Sequence, residues 1–209
     1  MKKNGFTLAE VLITLAIIGV VATLTLPSLM SNTAEQQSIT AFKKIMNTLN
    51  EAGQMNAALE GFDYSIATIG DRGDYIENGD ETLCSLINER LQVSDNASGG
   101  YGSTGECQGD ETFVLRDGTA ICLHNDYDDA GYWSIYVDTN GPKGPNLVSE
   151  CAEEGCITKS ERHIRDQYPV TLSRGVATPG HWSGFENEAQ NNADFAARYA
   201  MGIGRRERE

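Results

Sequence analysis

The chain has 209 residues, with 16 lysines and arginines against 30 aspartates and glutamates, so its net charge at pH 7 is -14. Such an acidic chain argues against nucleic-acid binding, because phosphate contacts need clusters of lysine and arginine. The one basic cluster, Arg205, Arg206 and Arg208, is terminal and interrupted by glutamate. We therefore expect no direct nucleic-acid contact through a basic patch.

An apolar run from Phe6 to Leu26 follows Lys2 and Lys3. It has 21 residues, close to the roughly 20 that a helix needs to cross a bilayer core of ~30 Å. A secretory signal peptide is the competing interpretation, but it has a shorter apolar core followed by a small-x-small cleavage site. This run instead passes through Pro27 into further helical sequence. We therefore predict a membrane-spanning helix over residues 6–29.

Glu10 is the only charged residue in the apolar run. A carboxylate in lipid costs several kcal/mol unless it is neutralised or paired, so it is a functional hypothesis by default. The alternative is a glutamate at the membrane edge whose carboxylate reaches the headgroups.

Residues 2–10, KKNGFTLAE, resemble the class III signal of type IV pilins and type II secretion pseudopilins. The resemblance implies that residues 1–5 are a leader, that a prepilin peptidase cuts after Gly5, and that Phe6 becomes N-methylated. It also places Glu10 at the fifth position of the mature chain. Pro27 matches the proline common in the N-terminal helix of this family.

Cutting after Gly5 would leave the Phe6 ammonium at the head of an apolar helix. Glu10 lies one helical turn away, and an opposite charge within ~4–6 Å favours the ionised form of both groups. The pair can form within one chain or between neighbouring chains. The resemblance implies the second, which would set the axial register of stacked helices.

The helix is predicted to continue as an amphipathic segment over residues 30–61. Its apolar residues recur at spacings of mostly three and four, which is typical of a helix face that packs on a core. They are Ile39, Phe42, Met46, Leu49, Met55 and Leu59. Gly53 is expected to weaken this helix and Gly61 to end it.

The stretch from residue 63 to 109 is polar and turn-rich, with a short helix predicted over residues 81–91. Residues 95–105, DNASGGYGSTG, have the composition of a surface loop.

Strand patterns begin at residue 112 and are separated by turn sequences. Strands are predicted over 112–115, 119–123 and 132–137, with a return strand over 168–172; Asp117-Gly118 supplies a tight turn in the first hairpin. We therefore predict an α+β, pilin-like fold in which the long N-terminal helix packs against a small antiparallel sheet. The head spans residues 62–209, its sheet about 111–178, and a helical tail follows.

Five cysteines follow the apolar run: Cys84, Cys107, Cys122, Cys151 and Cys156. Their placement after the membrane segment suits an oxidising compartment such as the periplasm or cell surface. Two bridges and one remaining thiol allow 15 arrangements, and Cys151 with Cys156 closes the easiest local loop. Zinc is the alternative, but no Cys-x-x-Cys is present and the three histidines are scattered, so disulfides are favoured.

The stretch after residue 137, DTNGPKGPN, resembles a turn of pilin-like proteins, and some pseudopilins bind calcium in this part of the fold. Asp138 and Asn140 carry the oxygen ligands that calcium prefers, but these residues are also typical of plain turns, which is the favoured interpretation. Residues 147–164 depart from the family pattern and are expected to be a surface insertion.

No enzymatic motif stands out. The chain has neither a Gly-x-Ser-x-Gly elbow nor a phosphate-binding glycine loop, and His181 beside Trp182 is typical of ordinary surface packing. We expect no enzyme activity and no cofactor other than the calcium considered above.

The resemblance implies a filament subunit: a pilin or pseudopilin stored in the bacterial inner membrane as a single-pass protein with its head outside the cytoplasm. It would meet prepilin peptidase and an inner-membrane assembly platform, and would polymerise with itself or with other pilins into a periplasmic or cell-surface filament. The sequence does not distinguish a major pilin, a minor pilin, a type II secretion pseudopilin and a DNA-uptake pilin. The alternative is a single-pass anchored protein whose head binds a ligand and never polymerises.

Overall fold

A computed structural model of the chain describes residues 7–64, 83–98, 111–128, 132–144, 146–151, 162–181 and 188–203. Its contacts divide the chain into two units, Met1–Gln37 and Ser38–Glu209. The elements in chain order are α1 (Leu8–Leu59), α2 (Leu83–Arg90), β1 (Val93–Ser98), β2 (Glu111–Leu115), β3 (Ala120–Asp128), β4 (Tyr132–Asp138), a 3₁₀ turn (Gly141–Lys143), β5 (Glu150–Cys151), β6 (Arg162–His163), β7 (Gln167–Ser173), β8 (Val176–Pro179) and α3 (Glu188–Met201).

The head contains a six-stranded antiparallel sheet with the strand order β1-β2-β3-β4-β7-β8. The turn between β2 and β3 contains Gly118 at φ +91°, the left-handed region that glycine adopts without strain. This sheet together with the long helix confirms the predicted α+β, pilin-like fold.

β1 corrects one expectation, because residues 95–98 were assigned to a surface loop. They pair with β2, with Asn96 opposite Phe113 and Ser98 opposite Glu111. Only backbone groups are needed for such pairing at the edge of a sheet, so a polar segment forms a strand without an apolar alternation. The sheet therefore starts before residue 111.

The second half of α1 forms one wall of the core. Its buried side chains are Ile39, Phe42, Ile45, Met46, Leu49 and Ala52. Phe42 stacks on Tyr168 of β7 with ring centroids 4.2 Å apart. Burying one such aromatic or aliphatic side chain contributes roughly 1.5–3 kcal/mol, so this stripe holds the helix to the sheet.

Gly53 lies inside α1 without interrupting it. A Cβ atom at this position would lie 2.7 Å from the carbonyl oxygen of Gly175 and 2.6 Å from Cε2 of Tyr64. The glycine therefore permits the helix to approach the β7–β8 turn closely. The helix ends at Leu59, and Gly61 follows it at φ +83°.

Asn50 connects α1 with the edge strand β8. Its side-chain Oδ1 accepts a hydrogen bond of 2.8 Å from the backbone N–H of Ala177. Because an unpaired edge strand can pair with another chain, this side chain covers part of an exposed backbone edge.

The described part of the 147–164 segment is not confined to the surface, contrary to expectation. Ser149 and Cys151 are fully buried, and Ser149 Oγ accepts a hydrogen bond of 2.9 Å from the Arg165 N–H. β5 and β6 pair as a second, two-stranded sheet that contacts α3. Packing against α3 explains the burial.

Two buried carboxylates organise the turn that follows β4. Asp138 Oδ1 accepts hydrogen bonds from the N–H groups of Asn140 (3.1 Å) and Gly141 (2.8 Å), and Oδ2 accepts one of 3.1 Å from Gln167 Nε2. Asp166 accepts hydrogen bonds from the N–H groups of Asn146 and Leu147 at 2.7 and 2.8 Å. The two side chains thus fix the turn and the backbone that follows it.

Asp138 makes the stability of the head depend on pH. Burial raises the pKa of Asp138 to about 6, against the hydrogen bonds that favour the carboxylate. The folded state therefore binds the proton of the Asp138 carboxyl group more tightly than the unfolded chain does. The contribution of this proton to the free energy of unfolding is complete below about pH 4 and is lost as the pH rises through about 6. We predict that Asp138→Asn removes this loss of unfolding free energy, which amounts to at most about 3 kcal/mol. The measurement is unfolding of the full chain in detergent between pH 4 and 7.

Asp117→Asn is the matched control, because its carboxylate titrates in the opposite direction. Partial burial acts to raise the pKa of Asp117, but hydrogen bonds from Lys44 and Thr119 outweigh it and the pKa is lowered. Its stabilisation is therefore lost as the pH falls. An unchanged pH profile in Asp138→Asn would contradict the assignment of this proton to Asp138.

Candidate functional site

The start of α1 is built around Thr7 and Glu10. Glu10 Oε2 accepts hydrogen bonds from the Thr7 N–H and from the Thr7 hydroxyl, both 2.8 Å long. The Glu10 N–H in turn donates to Thr7 Oγ1 at 3.3 Å. This is a reciprocal capping box, which satisfies N–H groups that have no partner within the helix.

This cap was not predicted from the sequence, although its signal is visible in the chain. Thr7-Leu-Ala-Glu10 has the Thr-x-x-Glu spacing of a capping box directly before an apolar run. Glu10 was considered as a partner for the Phe6 ammonium or as a glutamate at the membrane edge, and not as part of a helix cap. In the structure, the Glu10 side chain also caps the start of the helix.

Only one of the two Glu10 carboxylate oxygens is used by the cap. Among the residues that the structure describes, Glu10 Oε1 has no hydrogen-bond donor, and the side chain is exposed. Gly5 and Phe6 lie outside the described residues, so the predicted cleavage and the Phe6–Glu10 pair stay predictions. Pro27 lies within α1, and its predicted role in assembly stays a prediction as well.

The first part of α1 presents apolar side chains to its surroundings. The segment Leu8–Leu26 is long and apolar enough to cross a membrane, and none of it is buried by the described part of the chain. Ile13, Leu15, Ile17 and Ile18 are each at least 60 % exposed. A helix that is apolar all round must be covered by lipid or by other apolar helices.

The predicted calcium ligands Asp138 and Asn140 lie together in the turn after β4. Both Asp138 oxygens accept hydrogen bonds from N–H groups, so binding a cation there would require that those bonds be given up. Asn140 differs, because its Oδ1 is buried and has no hydrogen-bond partner among the described residues. The turn holds its own shape through protein donors, and calcium binding at Asn140 stays a prediction. The part of the chain that can be described contains no cluster of three or more histidine, cysteine or carboxylate side chains placed to hold a metal.

His181 is not an ordinary surface residue, so that expectation was wrong. Its side chain is 6 % exposed, with Nδ1 2.8 Å from Asp194 Oδ1 and Nε2 2.8 Å from the Tyr136 hydroxyl. Its backbone N–H also donates to Asp194 Oδ1 at 2.7 Å. Glycine at position 180 favours this close approach, because a Cβ there would lie 3.3 Å from the Asp194 carboxyl group and the backbone has φ +108°.

A hydroxyl–imidazole–carboxylate chain resembles the order of groups in nucleophilic catalysis, but its chemistry here differs. Burial raises the pKa of Tyr136 to about 12, and the Asp194 charge adds to this effect. A phenol with such a pKa is a poor nucleophile at neutral pH. These hydrogen-bonded side chains instead connect α3 with β4 and with the end of β8.

We predict that Thr7→Val weakens the first turn of α1, because valine keeps the branched shape but removes the hydroxyl. Loss of an N-cap costs about 1 kcal/mol, which corresponds to roughly fivefold faster hydrogen exchange at the Glu10 amide. The measurement is hydrogen exchange by NMR on the mature chain in detergent micelles. Thr7→Ser keeps the hydroxyl and serves as the control, and equal protection in all three proteins would contradict the cap.

Comparison with protein families places this segment in a known class. Residues 1–26 match a family model described as the prokaryotic N-terminal methylation motif. This motif is the class III signal of pilin-type proteins, which are structural rather than enzymatic. Comparisons with curated proteins and with solved structures gave no match. Together with the exposed apolar helix, the match indicates a membrane-anchored, single-pass protein. The chain carries the N-terminal signal of type IV pilins and pseudopilins.

Proposed function

We propose that this protein is a filament subunit that is cut after Gly5 by a prepilin peptidase, methylated at Phe6 and polymerised through its N-terminal helix. The observation that carries the proposal is the uncovered apolar surface of Leu8–Leu26 directly behind the matched methylation motif. Its mechanism is assembly rather than catalysis.

The apolar helix suits two successive environments. Before assembly, lipid covers its side chains; in a filament, the same surface packs against the helices of neighbouring copies. Because lipid and a bundle of apolar helices are similarly apolar, transfer between them costs little hydrophobic free energy. Packing and specific polar contacts then decide whether the helices associate.

Glu10 supplies the specific polar contact in this proposal. One carboxylate oxygen holds the helix cap through Thr7, which leaves Oε1 for the Phe6 ammonium of a neighbouring copy. An ammonium and a carboxylate buried among apolar helices stabilise each other only when they meet, and an unmatched buried charge costs roughly 3–5 kcal/mol. The pair therefore selects the helix register in which the two charges meet.

Repetition of one contact between copies gives an open polymer. A contact between two different patches of the same chain generates a helical filament when it does not close into a ring. The partners in this proposal are the prepilin peptidase, an inner-membrane assembly platform, and further copies or other pilins. The filament lies in the periplasm or on the cell surface, in keeping with a head outside the cytoplasm.

The cysteines fit this location, and we propose the bridges Cys107–Cys122 and Cys151–Cys156. Cys84 is buried and is not part of a disulfide, which leaves four cysteines. Support comes from the assignment of Cys122 and Cys151 as disulfide cysteines in separate packed clusters, and from the short loop that Cys151 closes with Cys156. Non-reducing peptide mapping of the periplasmic protein should yield these two linked peptides, and a Cys122–Cys151, Cys122–Cys156 or Cys107–Cys151 peptide would contradict the pairing.

The test of the proposed function is Glu10→Val in the full chain, expressed with a prepilin peptidase and an assembly machinery. We predict normal membrane insertion and cleavage but at least about tenfold fewer filaments, because the neighbouring ammonium loses its counter-charge. Glu51→Val is the matched control, since Glu51 is an exposed glutamate in the head-bound part of α1. Sheared filaments are quantified by sedimentation and electron microscopy.

Two outcomes would contradict the proposal in different ways. Wild-type filament levels in Glu10→Val would remove the register role of Glu10. A wild-type chain that is cut and methylated but stays monomeric beside a working machinery would favour the anchored ligand-binding alternative.

A further inference from the structure

A cavity of about 280 Å³ opens on the head between α1, the end of α2 and the β2–β3 turn. Its floor is apolar and consists of Ile45, Leu91 and Leu115, all of them buried. The cavity lies within the unit Ser38–Glu209 and shares no residue with the N-terminal signal.

The rim of the cavity is basic, although the chain as a whole is strongly acidic. Lys44, Arg90 and Arg116 line it against a single carboxylate, Asp117. The net charge of the chain is -14. A rim cation that lacks a carboxylate partner attracts an anionic group.

Two of the three cations already have partners. Lys44 Nζ lies 2.7 Å from Asp117 Oδ2, and Arg90 donates to Asn56 Oδ1 at 2.9 Å and to Glu60 Oε1 at 2.8 Å. These contacts hold the rim in place. The Lys44–Asp117 pair is exposed and can rearrange, since exposed ion pairs contribute little to stability.

Arg116 is the rim cation that has no carboxylate partner among the described residues. Its side chain is exposed and makes no hydrogen bond or ion pair with any residue that the structure describes. Its backbone N–H donates to Gln92 O at 2.9 Å, which connects the hairpin turn to the segment after α2. Arg116 lines the cavity, and its guanidinium carries five N–H donors that suit a carboxylate.

We propose that this cavity receives an acidic side chain from a second copy of this chain, whose carboxylate pairs with Arg116. The inference rests on the proposed function and deepens it by naming a contact between heads. The apolar floor suits the aliphatic stem of a glutamate, and the rim suits its carboxylate.

A second copy is the occupant that charge complementarity favours. Each copy carries 30 acidic residues, so two heads brought together by their apolar helices repel each other unless some carboxylates find cations. Tethering in a filament raises the effective concentration of those carboxylates near the cavity, so even a weak pair forms. A cavity on one copy and an acidic side chain on another also make the two-patch contact that an open polymer needs.

The experiment compares Arg116→Glu with Arg198→Glu in the full chain, expressed with prepilin peptidase and the assembly machinery. Arg198 is an exposed arginine of α3 outside the cavity, so the control makes the same charge change elsewhere. We expect both variants to be inserted and cut like the wild type. Filaments of Arg116→Glu should fall at least about tenfold, because like charges then face each other, whereas Arg198→Glu should stay within about twofold.

A second measurement does not depend on the folding of a charge-reversed variant. A photo-crosslinking amino acid replaces Gln92, an exposed residue that lines the cavity, so that Arg116 is kept. Irradiated membranes and filaments are analysed by peptide mass spectrometry, and the proposal expects links from position 92 to an acidic peptide of a second copy. Links only to a different protein would overturn the second-copy occupant.

The remaining outcomes separate the two proposals. Wild-type filament levels in Arg116→Glu, or equal losses in Arg116→Glu and Arg198→Glu, would overturn the cavity contact and leave the filament proposal standing. A wild-type chain that forms no filaments and gives no crosslink between copies would overturn both.

Discussion

The apolar surface of Leu8–Leu26 is the constraint on which the rest of this protein depends. The described residues cover none of it, so the helix requires a partner environment that is not water. Lipid supplies that environment to a single copy, and neighbouring helices would supply it in the proposed filament. The capped helix start fits both situations, because Thr7 satisfies one oxygen of Glu10 and the other has no donor among the described residues.

The same helix becomes part of a conventional core after residue 38. Phe42 packs on Tyr168, the N–H of Ala177 in the edge strand donates to Asn50, and Gly53 permits contact with the β7–β8 turn. The helix therefore changes from an apolar surface on all sides to a single apolar stripe within one element, Leu8–Leu59. This change in side-chain pattern is what allows one element to serve as both anchor and core wall.

Much of this fold could be predicted because its signals are local. The Asp117-Gly118 turn and the apolar spacing along α1 determine their own conformation. β1 could not be predicted, since residues 95–98 pair through backbone groups and have no alternation. The surface placement predicted for His181 was wrong, and the role of Asp138 was left open. In both cases a hydrogen-bond partner, Asp194 or Gln167, is distant in sequence. The Thr7–Glu10 cap is different, because its Thr-x-x-Glu spacing was present in the sequence and was overlooked.

The most direct test of the account is the mass of the mature N-terminus. The full chain is expressed with and without an active prepilin peptidase, and its intact mass and N-terminal peptide are measured. The account predicts a chain that begins at N-methylated Phe6 only when the peptidase is present. An uncut Met1 terminus beside an active peptidase, or cleavage near Ser31, would contradict it and would indicate a plain anchor or a conventionally secreted protein.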